Sequence, residues 1–333
     1  MSPNSGFFRR VTGRIHRLIG GGFILSALLL QSVGYAAIAE LPALQAAAWY
    51  ATGGAVALTL WNMRAGRLPK RGMGLGMWWL IVRMAVSDAV ISVSFLYSVQ
   101  DLDIGPAAAA VSFGLLMVDG AKFWRHRTTS WGRYKIGIRV VALAAILLAN
   151  EPWNGEATVP GAVAAVLSCF CFWNFTVVIN KMTRKGLGDQ GTTAAMWLST
   201  PAIWGLLLLL WAIEDSLSAI PWLGRFVSGI AGDTWLPPEQ IGLALVAGLF
   251  ILFIPMLLQV RGSARLSAGD LGLWLLSDSA MAAVVGLIGS GLGLIAASHH
   301  PSPLVWTGIA ILTIASVFNT LMPDDPPSQG QIT

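Results

Sequence analysis

The sequence is poor in charged residues. Only 11% of its 333 residues are Asp, Glu, Lys or Arg, and 55% are hydrophobic, whereas soluble domains carry about 25% charged residues. So few charges cannot form a surface that faces water on all sides, so lipid must cover much of this one. The composition therefore predicts an all-α polytopic membrane protein, with no stretch long enough for a separate soluble domain.

Cysteine is also scarce, and familiar catalytic motifs are missing. Cys169 and Cys171 share one apolar segment and point to nearly opposite sides of a helix, which excludes a disulfide framework and a zinc site. The sequence contains no nucleophile elbow, phosphate loop, HExxH or nucleic-acid signature. We therefore expect no enzymatic activity, catalytic residue, metal, cofactor or nucleic-acid partner. The expected partners are the lipid bilayer and a small-molecule substrate, and the chain is a monomer or a homodimer.

Apolar runs are abundant and predict the membrane spans. About 20 residues cross the hydrocarbon core, and the run after Leu18 is longer than a signal peptide requires, which favours a retained first span. The apolar runs predict ten spans, at residues 18–39, 42–61, 74–99, 104–124, 136–149, 160–179, 193–213, 241–260, 271–296 and 304–321.

The distribution of basic residues among the loops agrees with ten spans. All of them except Arg83, Arg139 and Arg225 lie in the N-terminal stretch or in every second loop, while the alternate loops are acidic. This alternation is the positive-inside rule, and a missed span would break it from that point onward. The pattern predicts that the N-terminus and the C-terminus are both cytoplasmic.

The count of ten divides into two halves of five. An odd number of spans per half gives the halves opposite orientations, which is the inverted-repeat plan of many transporters. The predicted organisation is a basic cytoplasmic N-terminus at 1–17, repeats at 18–150 and 160–321, and a Pro- and Asp-rich disordered tail at 322–333.

Short motifs along nearly the whole chain resemble the drug/metabolite transporter superfamily, in its EamA-like branch of ten-span bacterial exporters. Among its subgroups, the chain is most similar to amino-acid exporters. The motifs are Gln31-Ser32-Val33-Gly34, Phe95-Leu96-Tyr97-Ser98-Val99, Cys171-Phe172-Trp173, Ala264-Arg265-Leu266 and Trp306-Thr307-Gly308-Ile309.

The resemblance implies a central cavity between the two halves, lined mainly by spans one, three, four, six, eight and nine, in a bacterial inner membrane. There are departures from the family pattern. Trp49 stands where an Arg is usual, and Asp278-Ser279 stands where the ninth span usually has Glu-Pro.

Ionisable residues inside spans cost at least about 2.5–3.5 kcal/mol and are candidates for function. Arg83 would hold a carboxylate substrate, or pair structurally with Asp119 or Asp278. Asp88 would bind a substrate ammonium group or a proton, or bond to Ser92 one turn away.

Further candidates have weaker signals. Asp119 lies three residues before Lys122 and predicts a structural ion pair. Asp278 has two interpretations, a substrate or proton site in the cavity or a hydrogen bond between packed helices. The neutral candidates for substrate contacts are Gln31, Tyr97, Trp173, Asn174 and Trp274.

Together these features predict a secondary transporter that exports small polar or amphipathic metabolites, amino acids among them, by alternating access. Arg83 with Asp278 or Asp88 would select a zwitterion, and proton coupling through either carboxyl is an open alternative to facilitated export. Competing hypotheses are a drug or lipophilic-cation exporter, a membrane-embedded lipid-modifying enzyme and a non-transporting scaffold.

Overall fold

The computed structural model describes residues 4–38, 40–69, 73–101, 112–118, 120–150, 158–218, 227–277 and 302–322, with isolated positions at 109, 281 and 285. Every regular element in these ranges is helical. The helices are α1 (Asn4–Ile38), α2 (Ala43–Arg64), α3 (Leu75–Asp101), α4 (Gly120–Arg125), α5 (Ser130–Asn150), α6 (Val159–Arg184), α7 (Gly188–Ser218), α8 (Pro238–Ser263), α9 (Ala268–Leu275) and α10 (Pro303–Leu321).

Six of these helices, α1, α3, α6, α7, α8 and α10, are long and apolar enough to cross a membrane. The expected all-helical fold is confirmed for the described residues, with six candidate membrane-spanning helices. Helices α2 and α5 also exceed the length of about 20 residues that a span needs. They are not among the six because α2 is less apolar and α5 carries three basic residues. Ten spans and an inverted repeat stay predictions.

Local sequence signals set several helix ends. The Thr158 hydroxyl accepts a hydrogen bond from a first-turn amide of α6, and Ser302 caps α10 in the same way, as side-chain oxygens do at helix N-termini. Helices α2 and α6 are followed by Gly66 and Gly186, with φ of +67° and +71°. Glycine is favoured there because the left-handed conformation crowds a Cβ atom.

Several helices extend beyond the predicted spans, and two of the earlier starts place basic residues inside a helix. Helix α1 begins at Asn4, so helix also covers most of the basic stretch at 1–17. Helix α5 begins at Ser130 instead of Ile136. The earlier start places Lys135 inside the helix, where it is only 2% exposed. The predicted tail, apart from Met322, lies outside the described residues.

The long helices pack as close neighbours. Helix α3 runs antiparallel to α6, α1 to α8, α2 to α7 and α5 to α10, whereas α2 and α8 run in the same direction. Glycines allow the closest approaches. A Cβ atom on Gly248 would lie 2.2 Å from the Tyr50 carbonyl oxygen, and one on Gly308 would lie 2.5 Å from that of Ala145. Small residues at such crossings are typical of membrane helices.

Candidate functional site

A small internal cavity lies where six segments of the chain meet. Its volume is about 30 Å³, which is room for about one water molecule. The segments are α1, α3, residues 112–118, α6, α8 and α9, which correspond to the six spans that the family resemblance implies. The lining residues are Leu28, Gln31, Tyr35, Phe95, Ser112, Leu115, Phe172, Phe175, Gln259 and Leu275.

Aromatic rings form much of the cavity wall. The Tyr35 ring packs edge-on against Phe95, with centroids 5.4 Å apart, and Phe95 packs against Phe172 at 6.1 Å. Edge-to-face contacts of this kind stabilise aromatic clusters beyond the area they bury. Phe172 and Phe175 are three residues apart and therefore share one face of α6. That spacing could have identified them from the sequence, where Trp173 was chosen instead.

Two glutamine amides provide the polar part of the lining. Gln31 donates its Nε2 hydrogen to the Ile251 carbonyl oxygen at 3.0 Å, and Gln259 donates to the Gln31 Oε1 atom at 3.4 Å. Ile251 lies in a π-helical stretch, Leu249–Phe253, within α8. Pro255 has no N–H to offer to the carbonyl four residues earlier, and the Gln31 amide bonds to that oxygen. Gln31 therefore joins α1 to α8 as well as lining the cavity.

Arg83 pairs with Asn174 across the α3–α6 interface. The Arg83 Nε atom donates to Asn174 Oδ1 at 3.1 Å, and Nη2 donates to the same oxygen. Asn174 in turn donates to Ser87 Oγ at 2.6 Å and to the Arg83 carbonyl oxygen at 3.3 Å. Two predicted site residues thus meet, but neither lines the cavity. Asp119 and Asp278, the predicted partners of Arg83, lie outside the described residues.

Asp88 is buried on α3 and does not line the cavity. It is 9% exposed, and its Oδ2 atom has no hydrogen-bond partner within the described ranges. The neighbouring hydroxyl is that of Ser199 on α7, whereas Ser92, the predicted neighbour, lies beside Tyr50. Tyr50 is close to Asp88 and packs edge-on against Tyr35 at 6.1 Å. Asp88 is therefore connected to the cavity through two tyrosines.

The remaining predicted residues take other positions. Trp173 is 41% exposed on the outside of α6, and Tyr97 packs against the apolar cluster of α2 and α7. Trp274 is buried on α9 and donates its indole N–H to Thr320 Oγ1 at 2.9 Å. The Lys122 ammonium lies over the Trp131 ring, 5.8 Å from its centroid. None of these four is a cavity-lining residue.

A buried polar cluster joins three helices at the end of the bundle where α10 finishes. Lys135 on α5 donates to the Asn319 carbonyl oxygen at 3.2 Å and to Asn319 Oδ1 at 3.0 Å. The Asn319 amide donates to Asp270 on α9, which is 1% exposed. The sequence prediction placed Lys135 in a loop and did not select Asp270. Asp270 three residues after Ser267 is typical of a helix cap, and nothing in that pattern indicates burial.

The described residues contain no group of three His, Cys, Asp or Glu side chains that could hold a metal ion. They form a small aromatic cavity with two amides inside a helical bundle, six of whose helices are long and apolar enough to cross a membrane.

Comparison with known proteins supports the fold. One solved crystal structure, described only as that of a protein, matches with a TM-score of 0.62 and 15% sequence identity. The match covers 91% of this chain and 96% of that one. At that identity the similarity shows a shared fold and nothing about activity. No protein-family model matches the sequence, and no curated protein matches it.

Proposed function

We propose that this protein is a secondary transporter that exports small amphipathic metabolites, amino acids among them, across a bacterial inner membrane by alternating access. The observation that carries the proposal is the cavity. Three of its six segments come from residues 18–150 and three from residues 160–321, the two proposed repeats. Substrate sites of secondary transporters lie at such repeat interfaces.

The helix packing supports an inverted repeat of five plus five spans. Exchanging the two halves would exchange α1 with α6, α2 with α7, α3 with α8 and α5 with α10. Under that exchange, the α3–α6 pair maps onto α8–α1 and the α2–α8 pair onto α7–α3, while α2–α7 and α5–α10 map onto themselves. These six pairs are the most extensively packed among the described helices. The packing is what a two-fold relation between the halves would produce.

The chemistry of the cavity favours an amphipathic substrate. Aromatic faces would take an apolar group, and the Gln31 and Gln259 amides with Ser112 would bond a polar one. All of its lining residues are neutral, so the opposite charges expected to select a zwitterion do not line it. Arg83 and Asp88 would act from behind the lining. The cavity has room for only about one water molecule, so a substrate requires the two halves to move apart.

The rival hypotheses differ in what the chamber must contain. A lipophilic-cation exporter would use an acidic and aromatic chamber without a substrate-binding arginine. A scaffold would pair Arg83, Asp88 and Asp278 with one another and leave no cavity. The pairing of Arg83 with Asn174 and the presence of a cavity favour a transporter over a scaffold.

Transport into proteoliposomes tests the proposal. The purified protein is assayed with a panel of amino acids and with a lipophilic cation, each with and without a pH gradient. Phe172→Ala removes a ring from the cavity wall, whereas Phe170→Ala removes a ring that is 62% exposed on the same helix. Losing about 1 kcal/mol of aromatic contact should raise KM for aromatic substrates about fivefold in the first variant only. Absence of transport of every amino acid would contradict the amino-acid proposal.

The same assay tests whether Asp88 carries a coupled proton. Asp88→Asn keeps the shape of the side chain but cannot bind and release a proton. If transport is proton-coupled through Asp88, this variant should lose stimulation by the pH gradient and keep exchange of substrate across the membrane. Unchanged stimulation of the variant would exclude Asp88 as the coupling group and leave Asp278, whereas a wild-type protein that the gradient does not stimulate would indicate facilitated export.

A further inference from the structure

A second, larger concavity lies on the outside of the bundle, between α5 and α10. We name it the α5–α10 groove; its volume is about 730 Å³. Its walls are apolar and open outward, with Val141 47%, Ile314 55% and Phe318 54% exposed. Its lining residues are Ser130, Arg133, Tyr134, Gly137, Ile138, Val141, Ile311, Ile314, Ala315 and Phe318.

The lining residues form one continuous stripe along each helix. On α5 they recur at intervals of three or four residues, which is one face of a helix. The opposite face of α5 carries Lys135, which is bonded to Asn319 of α10. The groove is therefore the outward face of a helix pair that the buried polar cluster holds together, and its shape does not depend on exposed side chains alone.

The length of the groove corresponds to one leaflet of a bilayer. Ser130 and Val141 are eleven positions apart, which is about 16 Å along a helix at 1.5 Å per residue. Half of a hydrocarbon core of about 30 Å is about 15 Å. The groove begins at the first residue of α5 and ends near the middle of the helix. Because Ser130 to Tyr134 form its polar end, this extent fits a headgroup and the upper part of one acyl chain in the leaflet next to the start of α5.

The polar side chains are confined to that end of the groove. Arg133 is exposed, and no carboxylate within the described residues forms an ion pair with it. The hydroxyl-bearing side chains of Ser130 and Tyr134 line the same end of the groove, and tyrosines are enriched where membrane helices meet lipid headgroups. A positive charge with two hydroxyl groups above an apolar channel is complementary to a phosphate headgroup above an acyl chain.

We propose that the α5–α10 groove binds one anionic phospholipid. The phosphate lies against Arg133, Ser130 and Tyr134, and an acyl chain follows the groove toward Val141 and Ile311. A second copy of the chain is the alternative occupant. A symmetric dimer through this groove would place the Arg133 side chains of the two copies near each other, and no carboxylate among the described residues lies there to offset their charge. The proposal requires the chain to cross a membrane and does not depend on transport.

Native mass spectrometry of the full-length protein in detergent tests this proposal. The protein is titrated with phosphatidylglycerol and with phosphatidylcholine that carry identical acyl chains. Arg133→Gln should weaken phosphatidylglycerol binding about fivefold, the factor for one basic side chain near a headgroup, and leave phosphatidylcholine unchanged. Arg127→Gln is the matched control, because Arg127 lies in the preceding turn, exposed over the Trp124 ring.

A second variant tests the apolar part of the groove. Gly137→Leu places a side chain in open space, since a Cβ atom there meets nothing within 4 Å. It should weaken the binding of both lipids. Equal affinity of the wild-type protein for the two lipids would overturn the proposal, as would an equal effect of Arg127→Gln and Arg133→Gln. Lipid-free dimers that Gly137→Leu converts to monomers would assign the groove to a second copy and overturn it as well.

Discussion

Arg83 shows how a single side chain can be tolerated inside an apolar helix. A basic residue at the centre of a membrane helix costs about 2.5–3.5 kcal/mol on insertion scales. The Asn174 side-chain oxygen accepts two hydrogen bonds from this guanidinium, and the Asn174 amide donates to Ser87. The Asn174 amide thus accepts hydrogen bonds from the charged Arg83 guanidinium and donates one to the Ser87 hydroxyl.

Removing that amide should destabilise the protein. Asn174→Leu leaves the Arg83 guanidinium without its acceptor, and hydrogen bonds to charged groups contribute about 1.5–3 kcal/mol. We expect a clear fall in Tm for thermal unfolding in detergent. Trp173→Leu is the control on the same helix, because it replaces one exposed apolar side chain by another and should change stability by less than about 0.5 kcal/mol. Equal Tm values for the two variants would show that Asn174 is not needed to accommodate Arg83.

The sequence could nominate such residues but could not pair them. Arg83 is a candidate as an ionisable residue inside a span and Asn174 as a neutral residue for substrate contacts, yet they are 91 positions apart. Lys135 was missed for a different reason. A lysine near the start of an apolar run normally extends toward water, and only the position of Asn319 on a distant helix allows it to be buried.

At the scale of one element, α8 depends on a partner outside itself. Pro255 cannot donate to the Ile251 carbonyl, the backbone around it is π-helical, and the Gln31 side chain bonds to that oxygen. Irregular stretches of this kind often occur at functional sites, and this one borders the cavity through Gln31 and Gln259. Pro255 was visible in the sequence. Its consequence was not, because the partner lies on α1.

A double-mutant cycle tests this dependence. Gln31→Leu removes the donor from the Ile251 carbonyl and should cost about 1–3 kcal/mol. Pro255→Ala returns a backbone N–H to that position of α8. The double variant should therefore lose less stability than the sum of the single variants, with a coupling of at least about 0.5 kcal/mol in thermal unfolding. Simple additivity would mean that Gln31 and Pro255 act independently.

The close packing of α2 against α8 at Gly248 leads to a second prediction, about stability. A Cβ atom on Gly248 would lie 2.2 Å from the Tyr50 carbonyl oxygen, whereas one on Gly242 of the same helix meets nothing within 4 Å. Gly248→Ala should destabilise the protein by about 1–3 kcal/mol through overpacking. Gly242→Ala should be neutral or stabilising by up to about 1 kcal/mol. The two variants are compared by their Tm values in the same detergent. A Gly248→Ala variant with the wild-type Tm would contradict so close a crossing of α2 and α8.

For the whole molecule, the apolar runs and the loop charges together predict ten spans. Among the described residues, mean hydropathy identifies six helices. It misses α2 because that helix is largely buried among other helices and needs little apolar surface, from Ala43 to Asn62. It misses α5 because Lys135 and Arg139 lower its apolarity, although the first is bonded to Asn319 and the second lies over the Phe123 ring. Both candidate spans are thus less apolar than the six, because they carry polar side chains, such as Asn62 and Lys135, that are buried against other helices.

The alternation of basic and acidic loops predicts on which side of the membrane each loop lies, and cysteine labelling can measure this. With Cys169 and Cys171 replaced by Ala, single cysteines are introduced at exposed positions and labelled in intact cells with a membrane-impermeant thiol reagent. If ten spans cross, positions 64, 127 and 184 are protected and positions 40, 159 and 234 are labelled. Permeabilised cells provide the control that every cysteine can react.

The positions on either side of α2 and α5 decide between the two counts. If only the six most apolar helices crossed, Glu40 and Arg64 would lie on the same side of the membrane, and so would Arg127 and Val159. Ten spans place the members of each pair on opposite sides, because each pair then flanks one crossing helix. The inverted repeat needs an odd number of spans in each half. The same result for both members of either pair, whether both labelled or both protected, would therefore remove the two-fold relation between halves, and with it the reason to expect a substrate site at their junction.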